Sequence, residues 1–106
     1  MKSWDIHPKA QRELEDAVDY YLAVDEELAL SFDRHYEEYR RQICATPFLY
    51  NLRRGAVRRV NLTPRFGEYY IAYMIWREKV VILAVAHGKR RPYYWRKRIG
   101  EAKRLS

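Results

Sequence analysis

The sequence predicts an α+β fold: an N-terminal helical hairpin packed on a three- to four-stranded antiparallel sheet, followed by a short helix if the segment after Pro92 forms one. Three observations predict it. Apolar residues recur at helical spacing between residues 10 and 43. From residue 57 the period becomes two, over three runs separated by short turns. The chain has 106 residues, the size of a single domain with one modest core.

Residues 2–6, KSWDI, read as a short edge or joining strand. His7-Pro8 opens the first helix, because proline is tolerated in a first helical turn. Ala10, Leu14, Ala17, Val18, Tyr21 and Leu22 form its apolar stripe, and Glu13, Glu15, Asp16 and Asp19 fall largely off it and face water. AVDEEL (23–28) interrupts the pattern. Asp25 fits an N-cap, and Glu26 and Glu27 suit the positive end of a second helix. Leu28, Ala29, Phe32, Tyr36, Tyr39 and Ile43 make the second stripe, which Pro47 ends. The link is short, so the helices form an antiparallel hairpin with acidic outer faces.

PFLYNLRRGA (47–56) reads as a loop with Gly55 near its end. VRRVNL (57–62) is a strand and TPRFG (63–67) a turn. EYYIAYMIW (68–76) places Tyr69, Ile71, Tyr73 and Ile75 on one face and Tyr70, Ala72, Met74 and Trp76 on the other. Arg77-Glu78 is a tight turn. KVVILAVAH (79–87) is the most apolar run and hence a central strand. One face of this meander packs on the hairpin. The other is partly open or covered by residues after 92.

Hydrophobic residues make up 48% and charged residues 33%, a globular composition. No apolar run approaches the ~20 residues of a membrane helix, and MKSWDIHPKA has no signal-peptide core. The expectation is a cytoplasmic protein with no membrane partner. Cys44 is the single cysteine, which excludes an intrachain disulfide and a cysteine-based zinc site and reads as a small core or boundary residue. There is no Gly-rich phosphate loop and no HExxH, and His7, His35 and His87 are scattered, so neither metal nor cofactor is expected.

Charge is the informative property. The net charge of +7 divides into −6 over residues 1–40, +6 over 41–86 and +7 over 87–106. Of the 21 cations, 15 are arginines, which grip carboxylates and phosphates bidentately as lysines cannot. The basic surface fits a phosphate-bearing or acidic protein partner. The candidates are Arg58, Arg59, Arg65, His87, Lys89, Arg90, Arg91, Tyr93, Tyr94 and Arg96, at the ends of neighbouring strands or just beyond. A meander gathers many of them into one concave patch. Arginines on phosphates and tyrosines under bases would hold nucleic acid there. His87 with nearby guanidinium groups would also suit a metal-independent ribonuclease. The plainer alternatives are a strand-end His87 bonded to backbone, and Tyr69, Tyr70 and Tyr73 as sheet packing.

Two N-terminal helices, LRRGAVRRVNL before a tyrosine-rich strand, and a meander ending in VILAVAHGKRRPYYWRKR resemble the RelE/ParE superfamily of bacterial type II toxin–antitoxin toxins over nearly the whole chain. The resemblance implies a toxin silenced by a cognate antitoxin, which lays an acidic or amphipathic segment across the helices and sheet. RelE-like members cut mRNA in the ribosomal A site, whereas ParE-like members poison DNA gyrase without being nucleases. RelE-like nucleases usually carry Arg-x-x-Tyr in the middle strand. The matching stretch here is Tyr70-Ile71-Ala72-Tyr73, so Arg59 or Arg65 would have to supply that guanidinium. GKR places Arg90 where RelE-like enzymes use an arginine, and Tyr94 is nearest to the tyrosine that follows. The nuclease candidates are therefore Arg59, Arg65, His87, Arg90 and Tyr94. Target binding falls to Arg58, Arg59, Arg65, Lys89, Arg90, Arg91, Tyr93 and Arg96. His87 to Arg91 looks more like the ParE branch. Inhibition of DNA gyrase is thus the leading expectation, and a ribosome-dependent mRNA endonuclease the alternative.

Overall fold

The computed structural model describes residues 1–105. They form β1 (Trp4–Ile6), α1 (Pro8–Val24), α2 (Glu26–Ala45), β2 (Leu52–Arg54), β3 (Val57–Leu62), β4 (Phe66–Trp76), β5 (Lys79–His87) and α3 (Lys97–Leu105). The strands make one five-stranded sheet in the order β1-β5-β4-β3-β2. The expected antiparallel meander is its centre, and two short edge strands take it beyond the three or four expected.

β2 lies in the stretch that reads as a loop. Its three residues are all exposed, so no alternation marks it. It forms because Gly55, at φ 55°, turns the chain back and pairs Leu52 with Arg58 and Arg54 with Val57. β1 pairs parallel to β5, setting Trp4 against Val80 and Ile6 against Ile82. Lys79 Nζ donates to Asp5 Oδ2 across this edge at 3.0 Å.

His7 caps α1, its Nδ1 accepting from the Lys9 amide at 3.0 Å ahead of Pro8. Asp25 occupies the N-cap of α2, but its carboxylate makes no capping bond there; its carbonyl instead accepts from the Leu28 and Ala29 amides. The buried stripes are Ala10, Leu14, Ala17 and Tyr21 on α1 and Ala29, Phe32, Tyr36, Ile43 and Cys44 on α2. Leu22, expected in the first stripe, is 52% exposed, because it lies about 100° round the helix from Tyr21, whose ring packs on Phe66 of the sheet.

Both stripes pack on one sheet face, against Val60, Leu62, Phe66, Ile71, Tyr73, Val80, Ile82 and Val85. The other face, with Tyr70, Ala72, Met74, Val81 and Ala84, is covered by Trp95 and Ala102 from the C-terminal segment. A bulge keeps the two faces distinct. Ala72 pairs with Ala84 and Tyr73 with Ile82, leaving Leu83 as the extra residue of β5, and Leu83 and Ala84 both join the second face. The final helix starts at Lys97 rather than at Tyr93. Tyr93 has φ 59°, a left-handed conformation that a right-handed helix cannot contain.

Candidate functional site

The second sheet face ends in a cavity of about 250 Å³ lined by Arg53, Arg59, Tyr70, Gly88, Arg90, Pro92, Tyr93 and Trp95. Its wall is built from β2, β3, β4 and the segment that follows β5. Among the described residues no Asp or Glu lines it, and three arginines do.

Tyr70 and Trp95 make the floor. They are 4% and 1% exposed, and Trp95 Nε1 donates to the Tyr70 hydroxyl at 3.0 Å. The Arg59 guanidinium lies 3.8 Å from the Tyr70 ring centre, and its Nε donates to Asn61 Oδ1 at 3.3 Å. Arg59 can stand there because it pairs with Ala72 in the register, one step from the Asn61–Tyr70 pair on the same face. Gly88 leaves the rim open. Its amide donates to the Glu68 carbonyl at 2.6 Å, and a side-chain carbon at this position would come within 3.2 Å of that same oxygen.

Tyr93 closes the opposite side. Its ring meets Trp95 edge-on at 5.8 Å, lies 5.1 Å from the Arg54 guanidinium, and its hydroxyl donates to the Arg53 carbonyl at 3.4 Å. The positive φ of Tyr93 is strained backbone held at the mouth of a cavity.

Behind Arg90 lie the Tyr94 ring, on which it stacks, and Glu13. Glu13 accepts two bonds from Arg98, Nη1 to Oε1 at 2.8 Å and Nη2 to Oε2 at 3.1 Å, plus one from the Val85 amide at 3.1 Å. The Tyr94 hydroxyl also donates to it. Burial first, and this bond to Glu13 second, push the Tyr94 hydroxyl far above the ordinary tyrosine range, so it stays protonated. Arg90 touches Glu13 only at 3.5 Å and stacks 3.9 Å over the Tyr94 ring, with its side chain 54% exposed. Arg98 therefore neutralises Glu13, and Arg90 keeps its charge for the cavity.

The structure gathers only part of the sequence-derived set. Arg59, Arg90 and Tyr93 line the cavity. Arg58 points to the opposite face, where Nη1 donates to the Tyr50 carbonyl at 2.6 Å and clips the loop before β2. Arg65 is remote, bonded to Ser31 Oγ at 3.0 Å beside the hairpin. His87 also faces the hairpin side. Its ring meets Tyr69 edge-on at 5.0 Å and Nδ1 accepts from the Lys89 amide at 3.1 Å, the plain strand-end role. Tyr94 lies behind Arg90, while Lys89, Arg91 and Arg96 are exposed on the C-terminal segment.

Sequence reasoning missed Arg53, Arg54, Trp95, Glu13 and Arg98. The mirrored RRGAVRR around Gly55 is a hairpin signal that would have found the first two. Glu13 reads as solvent-facing from the helical pattern, yet its side chain is 13% exposed, because its partners lie more than 70 residues away. Among the described residues, no cluster of three or more His, Cys, Asp or Glu side chains is placed to hold a metal ion.

A family model described as the ParE toxin of type II toxin-antitoxin system, parDE, matches residues 5–92. The chain belongs to the ParE toxin family. A comparison with curated proteins gives no match. ParE toxins pair with a cognate antitoxin. In this ParE-family chain the matched segment supplies Arg53, Arg59, Tyr70 and Arg90, while Tyr93 and Trp95 follow it. Among the described residues, no helix is long and apolar enough to cross a membrane.

Proposed function

We propose that this toxin inhibits DNA gyrase by binding, with no chemistry of its own, and that the cavity around Arg59 and Arg90 is the surface it uses. Membership of the ParE family supports the target. The observation that carries the binding-only reading is position 70. A buried tyrosine, its hydroxyl engaged by Trp95, fills the place where RelE-like nucleases carry an arginine. General acid–base catalysis needs a group within hydrogen-bond reach of the reacting atoms. The candidates His87 and Tyr94 do not line the cavity: His87 faces Tyr69, and Tyr94 donates to Glu13. What is left in the cavity is charge and ring surface, which bind.

The runner-up, a ribosome-dependent mRNA endonuclease, is favoured by one contact. Arg59 reaches across Tyr70 and brings a guanidinium over that position, beside Arg90 in the same cavity. Two assays on purified toxin separate the readings. DNA supercoiling by gyrase should be lost on adding toxin, and primer extension on translating ribosomes should show no new A-site ends. A-site cuts that vanish in Arg90→Ala would overturn the proposal in favour of cleavage.

A further inference from the structure

We infer that the cavity is a mononucleotide-sized phosphate site: it takes a nucleotide phosphate on its guanidinium groups, with the attached base against Arg59 and Tyr93. The inference rests on reading the cavity as a binding site rather than a cleaving one.

Charge argues for phosphate. Arg53, Arg59 and Arg90 arrive from three separate chain segments and line one concavity, with no Asp or Glu among the described residues that line it. Three like charges around one concavity disfavour one another, and a multiply charged anion that accepts several charge-assisted bonds relieves them. The carboxylate that touches Arg90, Glu13, is taken bidentately by Arg98 and reaches Arg90 only at 3.5 Å. A single carboxylate of an acidic peptide would meet only part of that charge.

Shape argues for a nucleotide. About 250 Å³ lies just below the range of roughly 300–1,000 Å³ that holds larger organic ligands, and suits one phosphate with one ring system. Arg59 has one guanidinium face on Tyr70 and lines the cavity, a planar surface on which a base can stack. Tyr93, pinned by its bond to the Arg53 carbonyl and its edge contact with Trp95, supplies a second ring without having to be ordered on binding.

The test is calorimetric titration of the purified toxin at low salt with AMP, adenosine, inorganic phosphate and a short single-stranded oligonucleotide carrying a 5′-phosphate. AMP should bind saturably and adenosine should not. Arg59→Ala and Arg53→Ala should each weaken AMP roughly tenfold or more, at unchanged thermal midpoint, while the exposed Arg12→Ala leaves it unaltered. Inorganic phosphate should bind more weakly than AMP. An oligonucleotide binding more tightly than AMP, through its phosphorylated end, would identify a chain terminus rather than a free nucleotide as the source. Absence of saturable AMP binding, binding that survives both cavity substitutions, or capture of a glutamate-rich peptide in place of AMP would overturn the inference. Gyrase takes no part in the titration. A toxin that binds AMP yet spares gyrase thus contradicts the target proposal alone.

Discussion

The guanidinium carbon of Arg59 sits 3.8 Å from the centre of the Tyr70 ring, and that ring is itself fixed by the 3.0 Å bond from Trp95 Nε1 to its hydroxyl. The three side chains come from β3, β4 and the segment before α3, so a surface charge is tied to the second core. Tyr70→Phe keeps the ring and removes the acceptor, leaving the Trp95 N–H buried and unpaired. It should cost about 1–3 kcal/mol in urea denaturation, with toxicity retained because the stacking surface for Arg59 is intact.

Neighbouring Arg58 and Arg59 should separate cleanly when substituted. Arg58 holds the Tyr50 carbonyl at 2.6 Å on the hairpin side, whereas Arg59 lines the cavity on the other. Arg58→Ala should lower stability by about 1.5–3 kcal/mol, the range for a bond from a charged donor, and leave growth arrest in place. Arg59→Ala should do the reverse. Melting curves and plating efficiency under induced expression read the two effects. Equal loss of toxicity in both variants at equal stability would remove the division between faces.

How much of this was legible follows from how local each feature is. The stripes of α1 and α2 and the alternation of β3, β4 and β5 are short-range patterns, and they were readable because each element buries a face set by its own period. β1 and β2 are three residues each and too short for a period. Adjacent strand residues point to opposite faces, so Arg58 and Arg59 could not share a patch once β3 was assigned. That consequence was available from the sequence. The role of Glu13 was not, because it depends on Arg98 coming back 85 positions later to the start of α1. Tyr93 ends any helical expectation through its backbone, which no composition rule announces for an aromatic residue.

Glu13 and Arg98 form a nearly buried pair, 13% and 10% exposed. Glu13→Ala leaves the buried Arg98 guanidinium without its counter-charge, with the Leu83 carbonyl as a remaining acceptor, and should cost about 3 kcal/mol, the low end for a broken buried pair. Replacing both, as Glu13→Ala with Arg98→Met, should recover part of that loss. A double-mutant cycle in chemical denaturation measures the coupling, and additive losses would show that the pair does not act as a unit.

Several buried tyrosines set an alkaline limit. Burial, as the largest cause, pushes Tyr21 and Tyr73 up to about 12 and Tyr94 higher still. The unfolded chain loses these protons near the ordinary value of about 10. The folded state keeps them longer, so this contribution to stability is fully present below about 10 and declines as pH rises towards 12. Tyrosinate absorbance should therefore lag a simple titration and then rise together with loss of the far-ultraviolet helical signal. Ionisation of all ten tyrosines near 10 with the fold intact would contradict the burial.

Arrest of gyrase by binding at the Arg59 cavity is tested most directly by supercoiling of relaxed plasmid by purified gyrase across a toxin concentration series, with wild type and Arg59→Ala of equal thermal midpoint. Supercoiling should be lost dose-dependently with wild type, and the variant's curve should be displaced at least about tenfold to higher concentration. Supercoiling unaffected by wild-type toxin, or inhibited equally by both proteins, would contradict it.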